Sequence, residues 1–246
     1  MAPTLYLVRH AQGEHNATRD FTILDPLLTP KGKQQCRELR ESFRYHDTVD
    51  LVVASPLRRT IQTAVLSFGR TLARDGVPFI ALPVAQEVSN AGADTGLEPE
   101  DLKTSLEHLF DEDKPDFNVL RKLDLSNVEE GWTSKSGFYA YTRPALENRA
   151  ANFRSWLFQR SEERIIVVTH GAFLHFLTED WDVDDPMTGT AYNNCEVRIF
   201  TFDTSSTVNN AHLNETEESK RTRGANEREN DPHVLEELKT LASRPQ

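Results

Sequence analysis

Apolar residues in this chain fall into two kinds of run. "TLYLV" (Thr4 to Val8), "DLVVAS", "VPFIAL" and "RIIVVTHG" are short and continuously apolar, as strands buried on both faces should be. Between them apolar residues recur at helical spacing. Thr29 is placed to cap a helix with Pro30 at its first position, and Cys36, Leu39 and Phe43 share one face. Ile61, Ala64, Val65, Phe68 and Leu72 make a second apolar stripe, and Leu102, Leu106, Leu109 and Phe110 a third. Leu146, Ala150, Phe153 and Leu157 make a fourth; "AFLHFLTEDW" reads as a further helix and "EVRIFTFD" as a final strand. Buried strands alternating with helices predict a layered α/β sheet.

A chain of 246 residues can build one sizeable core. Residues 1–205 are expected to form one domain, interrupted at 86–144 by a looser insertion that ends in the polar connection "NVEEGWTSKSG". Long insertions in compact domains are more often functional than idle. Residues 206–246 carry no core pattern until "VLEELKTLASRPQ", so they are expected to be a loosely attached tail with a terminal helix. The net charge of -11 argues against a nucleic-acid surface, but a local nest of arginines can still hold a small anion. No apolar run approaches the roughly 20 residues of a membrane span. "MAPTLYLVRH" has no signal-peptide pattern, and a glycan at Asn16-Ala17-Thr18 would sit beside the candidate site described next. The expectation is an intracellular, cytoplasmic protein without nucleic-acid or membrane partners. Its two cysteines, Cys36 and Cys195, are far apart in sequence and expected to be reduced thiols.

Ligands in α/β sheets gather beyond the carboxyl ends of the strands. Arg9-His10 follow the first strand, Ser55-Pro56-Leu57-Arg58 the second, and Thr169-His170-Gly171 the later one. Glu87 lies just past the third. Each alone is commonplace; their shared edge is what suggests an anion site.

"LVRHAQGEHN", "SPLRRTIQTA", "QEVSNAGADTG" and "VVTHG" resemble the histidine phosphatase superfamily, the phosphoglycerate mutase-like proteins, from about Leu5 to Phe202. "RHAQGEHN" is similar to the phosphatase-type branch of the plant and fungal members. The resemblance implies a three-layer α/β/α sandwich around a mostly parallel sheet. It implies that His10 attacks phosphorus to form a phosphohistidine. Arg9, Arg58 and His170 would clamp the phosphoryl oxygens, with Asn16 and the Gly171 amide as further donors. Glu87 would protonate the leaving oxygen and then activate water, with Glu14 as a weaker alternative. Neither metal nor organic cofactor is implied, because guanidinium groups match the charge on the transferring oxygens.

Two positions depart from the family pattern: Arg-His-Gly-Glu becomes Arg9-His10-Ala11-Gln12, which adds a methyl and removes a carboxylate. The leading expectation is a phosphatase for small phosphate monoesters. A phosphoglycerate mutase is the second reading, and a non-catalytic phosphate- or protein-binding domain the third. A longer substrate-binding segment marks the family's mutases and is not evident here, and a pure binder has no use for both nucleophile and acid. His15 reads more readily as an exposed turn residue than as a substrate contact, and His175 as packed or surface. Gly92 to Gly96 is too short for a nucleotide loop. Trp132, Phe138, Tyr139 and Tyr141 either cover the pocket or belong to the core.

Overall fold

Successive residues of a strand point to opposite faces of its sheet. In strand β1 (Thr4–Arg9) Leu5 and Leu7 enter one hydrophobic cluster, while Tyr6 and Val8 enter another. Strand β2 (Leu51–Ala54) and the later β5 (Arg164–Thr169) divide in the same way, with Leu51, Val53, Ile165 and Val167 on the first face and Val52, Ala54, Ile166 and Val168 on the second. A sheet with two apolar faces needs a helical layer over each. The computed structural model, which describes residues 2–179 and 192–223, provides both layers.

One layer holds α2 (Pro30–Ser42) and α3 (Arg58–Leu72), whose Ile61, Ala64, Val65, Phe68 and Leu72 are all buried against the sheet. The other holds α6 (Arg143–Phe158), which buries Leu146, Ala150, Phe153 and Leu157, and α7 (Gly171–Thr178). Thr29 caps α2 by accepting from the Gly32 N–H at 3.0 Å, with Pro30 at the first helical position. Seven strands are described: β3 is Phe79–Ala81, β4 Leu123–Asp124, β6 Val197–Phe202 and β7 Leu213–Glu215, in the order β4-β3-β2-β5-β1-β6-β7. Pairings from β4 through β1 are parallel, and those of β6 and β7 antiparallel. The expected mostly parallel three-layer α/β/α sandwich is therefore the fold.

Register places the chemistry. Arg9 pairs with Thr169, and the His10 N–H donates to the Thr169 carbonyl at 2.9 Å, so the residues leaving β1 and β5 emerge side by side. The Ser55 N–H donates to Val168 on the other flank of β5 at 3.0 Å.

Residues 206–223 differ from the expected loosely attached tail. Strand β7 extends the sheet from β6, and α8 (Glu217–Arg223) is tied back where the Ile199 N–H donates to Ser219 Oγ at 3.0 Å. Ala211 and Leu213 are buried, and the open edge of β6 supplies the backbone partners that a polar composition does not reveal. "VLEELKTLASRPQ" lies outside the described residues. The insertion contributes α4 (Pro99–His108), α5 (Val119–Lys122) and the edge strand β4. Trp132 is core, with its indole N–H donating to the Leu97 carbonyl at 3.0 Å; Phe138 is exposed, while Tyr139 and Tyr141 are half-buried.

Phe153 is fully buried and stacks on Phe173 with ring centroids 6.5 Å apart, joining α6 to α7. Phe153→Ala is expected to lower unfolding free energy by about 3–5 kcal/mol in urea titration. A loss below about 1 kcal/mol would mean that this layer contributes little.

Candidate active site

His10 and His170 face each other at the carboxyl edge of β1 and β5, with ring centroids 5.2 Å apart. Both are buried. His10 Nδ1 lies 2.7 Å from the Ala11 carbonyl, an acceptor only, so Nδ1 carries the proton. Arg59 Nε–H donates to His10 Nε2 at 3.3 Å, which requires a lone pair there. The two contacts assign one tautomer, with Nε2 as the basic nitrogen. Another nitrogen of Arg59 donates to His170 Nδ1 at 3.1 Å, and His170 Nε2 then donates to Ser55 Oγ at 2.9 Å. Burial, then the charges of Arg59 and Arg9, hold the His10 imidazole well below its ordinary range. Burial, Arg59, His10 and Lys135 do the same to His170. Both rings are neutral at physiological pH.

Arg59 is held from behind. It comes from the first turn of α3, donates to the Ala93 carbonyl, and pairs with Asp94 at 3.0 Å in a buried ion pair. Asp94 Oδ2 also accepts from Ser89 Oγ at 2.6 Å.

Glu87 leaves β3 through a short 3-10 turn, Pro83–Ala85, and reaches the N-terminus of α7. Its Oε1 accepts from the Phe173 N–H at 2.9 Å and the Val88 N–H at 3.0 Å, and Oε2 from the Ala172 N–H at 3.4 Å. Burial and the nearby Asp94 charge push its pKa up to about 7, against the lowering effects of Arg59 and the backbone donors. Arg149, fully buried, holds this turn through the carbonyls of Gln86 and Glu87 at 2.9 and 3.3 Å. Lys135 approaches the Glu87 carbonyl at 3.4 Å from the insertion, and burial brings its pKa down to about 8.

His10, Glu87 and His170 thus lie in one cluster, and Arg9 is buried beside it, donating to the Tyr192 carbonyl at 2.7 Å. Gly171 opens α7 immediately after His170. Asn16 is half-buried and accepts from the Gly13 N–H at 3.0 Å, capping the short α1 (Glu14–Thr18). Arg58 requires a correction. Its guanidinium turns away from the histidines to the Asp25 carbonyl at 2.6 Å and the Asp25 carboxylate at 3.3 Å. One residue along the helix is a rotation of about 100°, and Arg59, not Arg58, points between the rings. Glu14 is exposed and accepts from the Leu27 N–H at 3.2 Å, away from the cluster. His15 is not an exposed turn residue: it is buried, with its ring 5.7 Å from that of His10. His175 is packed. The Ala11 methyl is accommodated beside Leu28 and Cys36, and Gln12 is occupied by Thr29 Oγ at 2.9 Å.

Compared with known proteins, residues 5–215 match the sequence model of the histidine phosphatase superfamily (branch 1). The chain belongs to the histidine phosphatase superfamily. Phosphoglycerate mutase-like protein 1 of Arabidopsis thaliana is 31% identical over 204 residues, covering 70% of this chain and 69% of the relative. Phosphoserine phosphatase 1 of Hydrogenobacter thermophilus is 43% identical over 63 residues, 25% of this chain and 29% of that protein. A phosphoglycerate mutase structure from Bacillus anthracis matches with a TM-score of 0.53 at 14% identity, covering 96% of this chain and 97% of that one, which shows the shared fold. The proteins this chain is similar to therefore include phosphatases.

Arg59, Asp94, Lys135 and Arg149 are the parts of the site that sequence patterning missed. Arg59 had a signal: with Gln62, Thr63 and Ser67 it makes a polar stripe on a helix whose apolar stripe is complete without it, and all four are buried. Asp94 sits within Gly92 to Gly96, a stretch too short for a nucleotide loop.

The two adjacent arginines separate in a binding experiment with tungstate, a phosphate-like oxyanion. Arg59→Gln is expected to weaken tungstate affinity about 10- to 100-fold by calorimetry, since hydrogen bonds to charged groups are worth about 1.5–3 kcal/mol. Arg58→Ala should leave affinity within about 2-fold and cost about 1–3 kcal/mol of stability by stripping the buried Asp25 of its partner. The reverse pattern would return the anion-binding role to Arg58.

Proposed function

We propose that this protein hydrolyses small phosphate monoesters without a metal ion, through a phosphohistidine at His10. The observation that carries the proposal is the His10 tautomer: a neutral, buried imidazole whose Nε2 lone pair faces the guanidinium of Arg59. Oxyanions bind where fixed cations already point, so a phosphoryl group drawn to Arg59 comes to rest against that nitrogen.

His10 Nε2 attacks phosphorus as the bond to the ester oxygen breaks. Nδ1–H keeps its bond to the Ala11 carbonyl and eases the positive charge that builds on the ring. Arg59 and Arg9 offset charge on the equatorial oxygens. His170 lies across from His10; with its one N–H on Ser55 and its Nδ1 accepting from Arg59, it acts by holding that guanidinium in place rather than as the clamping donor expected of it. The departing alkoxide takes its proton from Glu87, whose pKa of about 7 keeps much of it protonated near neutrality. Water then attacks the phosphohistidine while the Glu87 carboxylate accepts its proton, releasing phosphate and restoring His10. Asn16, through its side-chain amide, and the Gly171 N–H would be further donors to the bound group. The substrate fitting this chemistry is a small phosphorylated metabolite, in keeping with a cytoplasmic protein.

Activity should be highest on the acid side of neutrality and fall as pH rises through about 7, because Glu87 loses its proton there while His10 stays neutral throughout. In Glu87→Gln that fall should vanish, with kcat reduced about 10²- to 10⁴-fold. Phosphate release from a panel of monoesters, measured with a chelator present and with His10→Ala alongside, tests the proposal. Chelator-resistant release that disappears in the variant is expected. Turnover of 3-phosphoglycerate only when bisphosphoglycerate is added would favour the mutase reading, and absence of release by a protein that binds tungstate would favour a binding domain.

A further inference from the structure

Cys36 and Cys195 are 159 positions apart in sequence, yet their sulfurs are 3.9 Å apart. Cys36 projects from the middle of α2, fully buried with Ala11 and Leu28. Cys195 is half-buried in the turn ahead of β6, where its backbone is left-handed with φ 61°. That same turn braces the candidate nucleophile. The Cys195 N–H donates to the Arg9 carbonyl at 3.1 Å, and Asn194 Nδ2 donates to the His10 carbonyl at 2.9 Å.

Burial pushes the Cys36 thiol up, but the contact with Cys195, helped by the nearby Ser67 and Thr63 hydroxyl dipoles, outweighs it and brings Cys36 below its ordinary range. The bond to Cys36, then burial, push Cys195 up. Cys36 is thus the more readily ionised of the two sulfurs, and thiolates are the sulfur species that oxidants attack.

We infer that Cys36 and Cys195 are a modification site: a dithiol that a peroxide converts to an intramolecular disulfide, displacing the strand end that carries Arg9 and His10. The thiolate attacks one peroxide oxygen; an S–O bond forms, the O–O bond breaks, and the departing hydroxide takes the partner thiol's proton. The resulting thiolate attacks the sulfenic sulfur; the S–S bond forms, the S–O bond breaks and hydroxide leaves. One thiolate, one thiol and one peroxide give one disulfide, one water and one hydroxide.

A disulfide spans about 2.05 Å, so the sulfurs must close by roughly 2 Å. Helix α2 cannot follow easily, because Gly32 presses on Gln12: a Cβ there would lie 2.2 Å from the Gln12 carbonyl oxygen. The Cys195 turn moves instead, pulling on both bonds that hold Arg9 and His10. The consequence for activity rests on the proposed role of His10; disulfide formation does not.

The full chain is treated with hydrogen peroxide, cleared of it with catalase, and followed by alkylation and intact mass, tungstate calorimetry and phosphate release. Both thiols should disappear without covalent dimer and return with dithiothreitol. Tungstate affinity and phosphate release should fall about 10- to 100-fold and recover, as expected for misplacing reacting groups by about 1 Å. Cys36→Ser and Cys195→Ser should keep the basal activity and lose the sensitivity. Persistent thiols, a disulfide between separate chains, unchanged tungstate affinity in the disulfide form, or an equally sensitive single variant would each overturn the inference. Should the reduced protein release no phosphate from any ester, thiol loss and tungstate affinity still decide this point separately from the phosphatase reading.

Discussion

A single buried guanidinium organises the candidate site. Arg59 touches His10 Nε2, His170 Nδ1 and Asp94 at once, and its backbone carbonyl accepts from Thr63 Oγ at 2.7 Å. A cation in such a place must be paired or its desolvation would unfold the domain around it. Asp94 supplies the pairing at one nitrogen, while the contacts to the rings are to neutral acceptors. The face turned to the histidines therefore keeps positive character available for an incoming anion. It also fixes both tautomers, since a donor facing a ring nitrogen excludes a proton there.

The sheet explains why these groups meet. Parallel strands β1 and β5 end in register, so His10 and His170 emerge at one edge, and α3 follows β2 closely enough to aim its first turn between them. Glu87 reaches the same place from β3 by seating its carboxylate on the N-terminus of α7, directly beyond His170. Burial then makes the ionisation states consistent: the rings lose affinity for protons while the carboxyl gains it. Neutral imidazole beside a carboxyl that holds its proton near neutrality is the combination that nucleophilic attack with leaving-group protonation requires.

Much of this was legible in the sequence. Buried strand runs and apolar helical stripes located the strands and helices that form the sheet and its two layers, because both periodicities report burial directly. His10, Glu87 and His170 stood out because strand ends converge in such a sheet. Sequence alone does not separate Arg58 from Arg59, because a residue in a first helical turn faces the site or the neighbouring loop according to one step of rotation. Asp94 and Lys135 come from segments whose course depends on tertiary packing, Arg149 stands on a legible helix but as a polar residue outside its apolar stripe, and the Cys36–Cys195 contact joins residues from distant parts of the chain. The polar stretch after residue 205 misled for a related reason: β7 is held by backbone bonding to β6, which leaves little hydrophobic signature.

The central claim is that His10 Nε2 accepts the phosphoryl group, and trapping the intermediate tests it most directly. The protein is mixed with a hydrolysed monoester, quenched in alkali within the first turnover, digested, and its phosphorylated peptide sequenced by mass spectrometry. The account predicts a phosphoryl group that survives alkali, is lost in acid, and maps to His10. Steady hydrolysis with the phosphoryl group on another residue, or with no phosphoenzyme at any quench time, would contradict it.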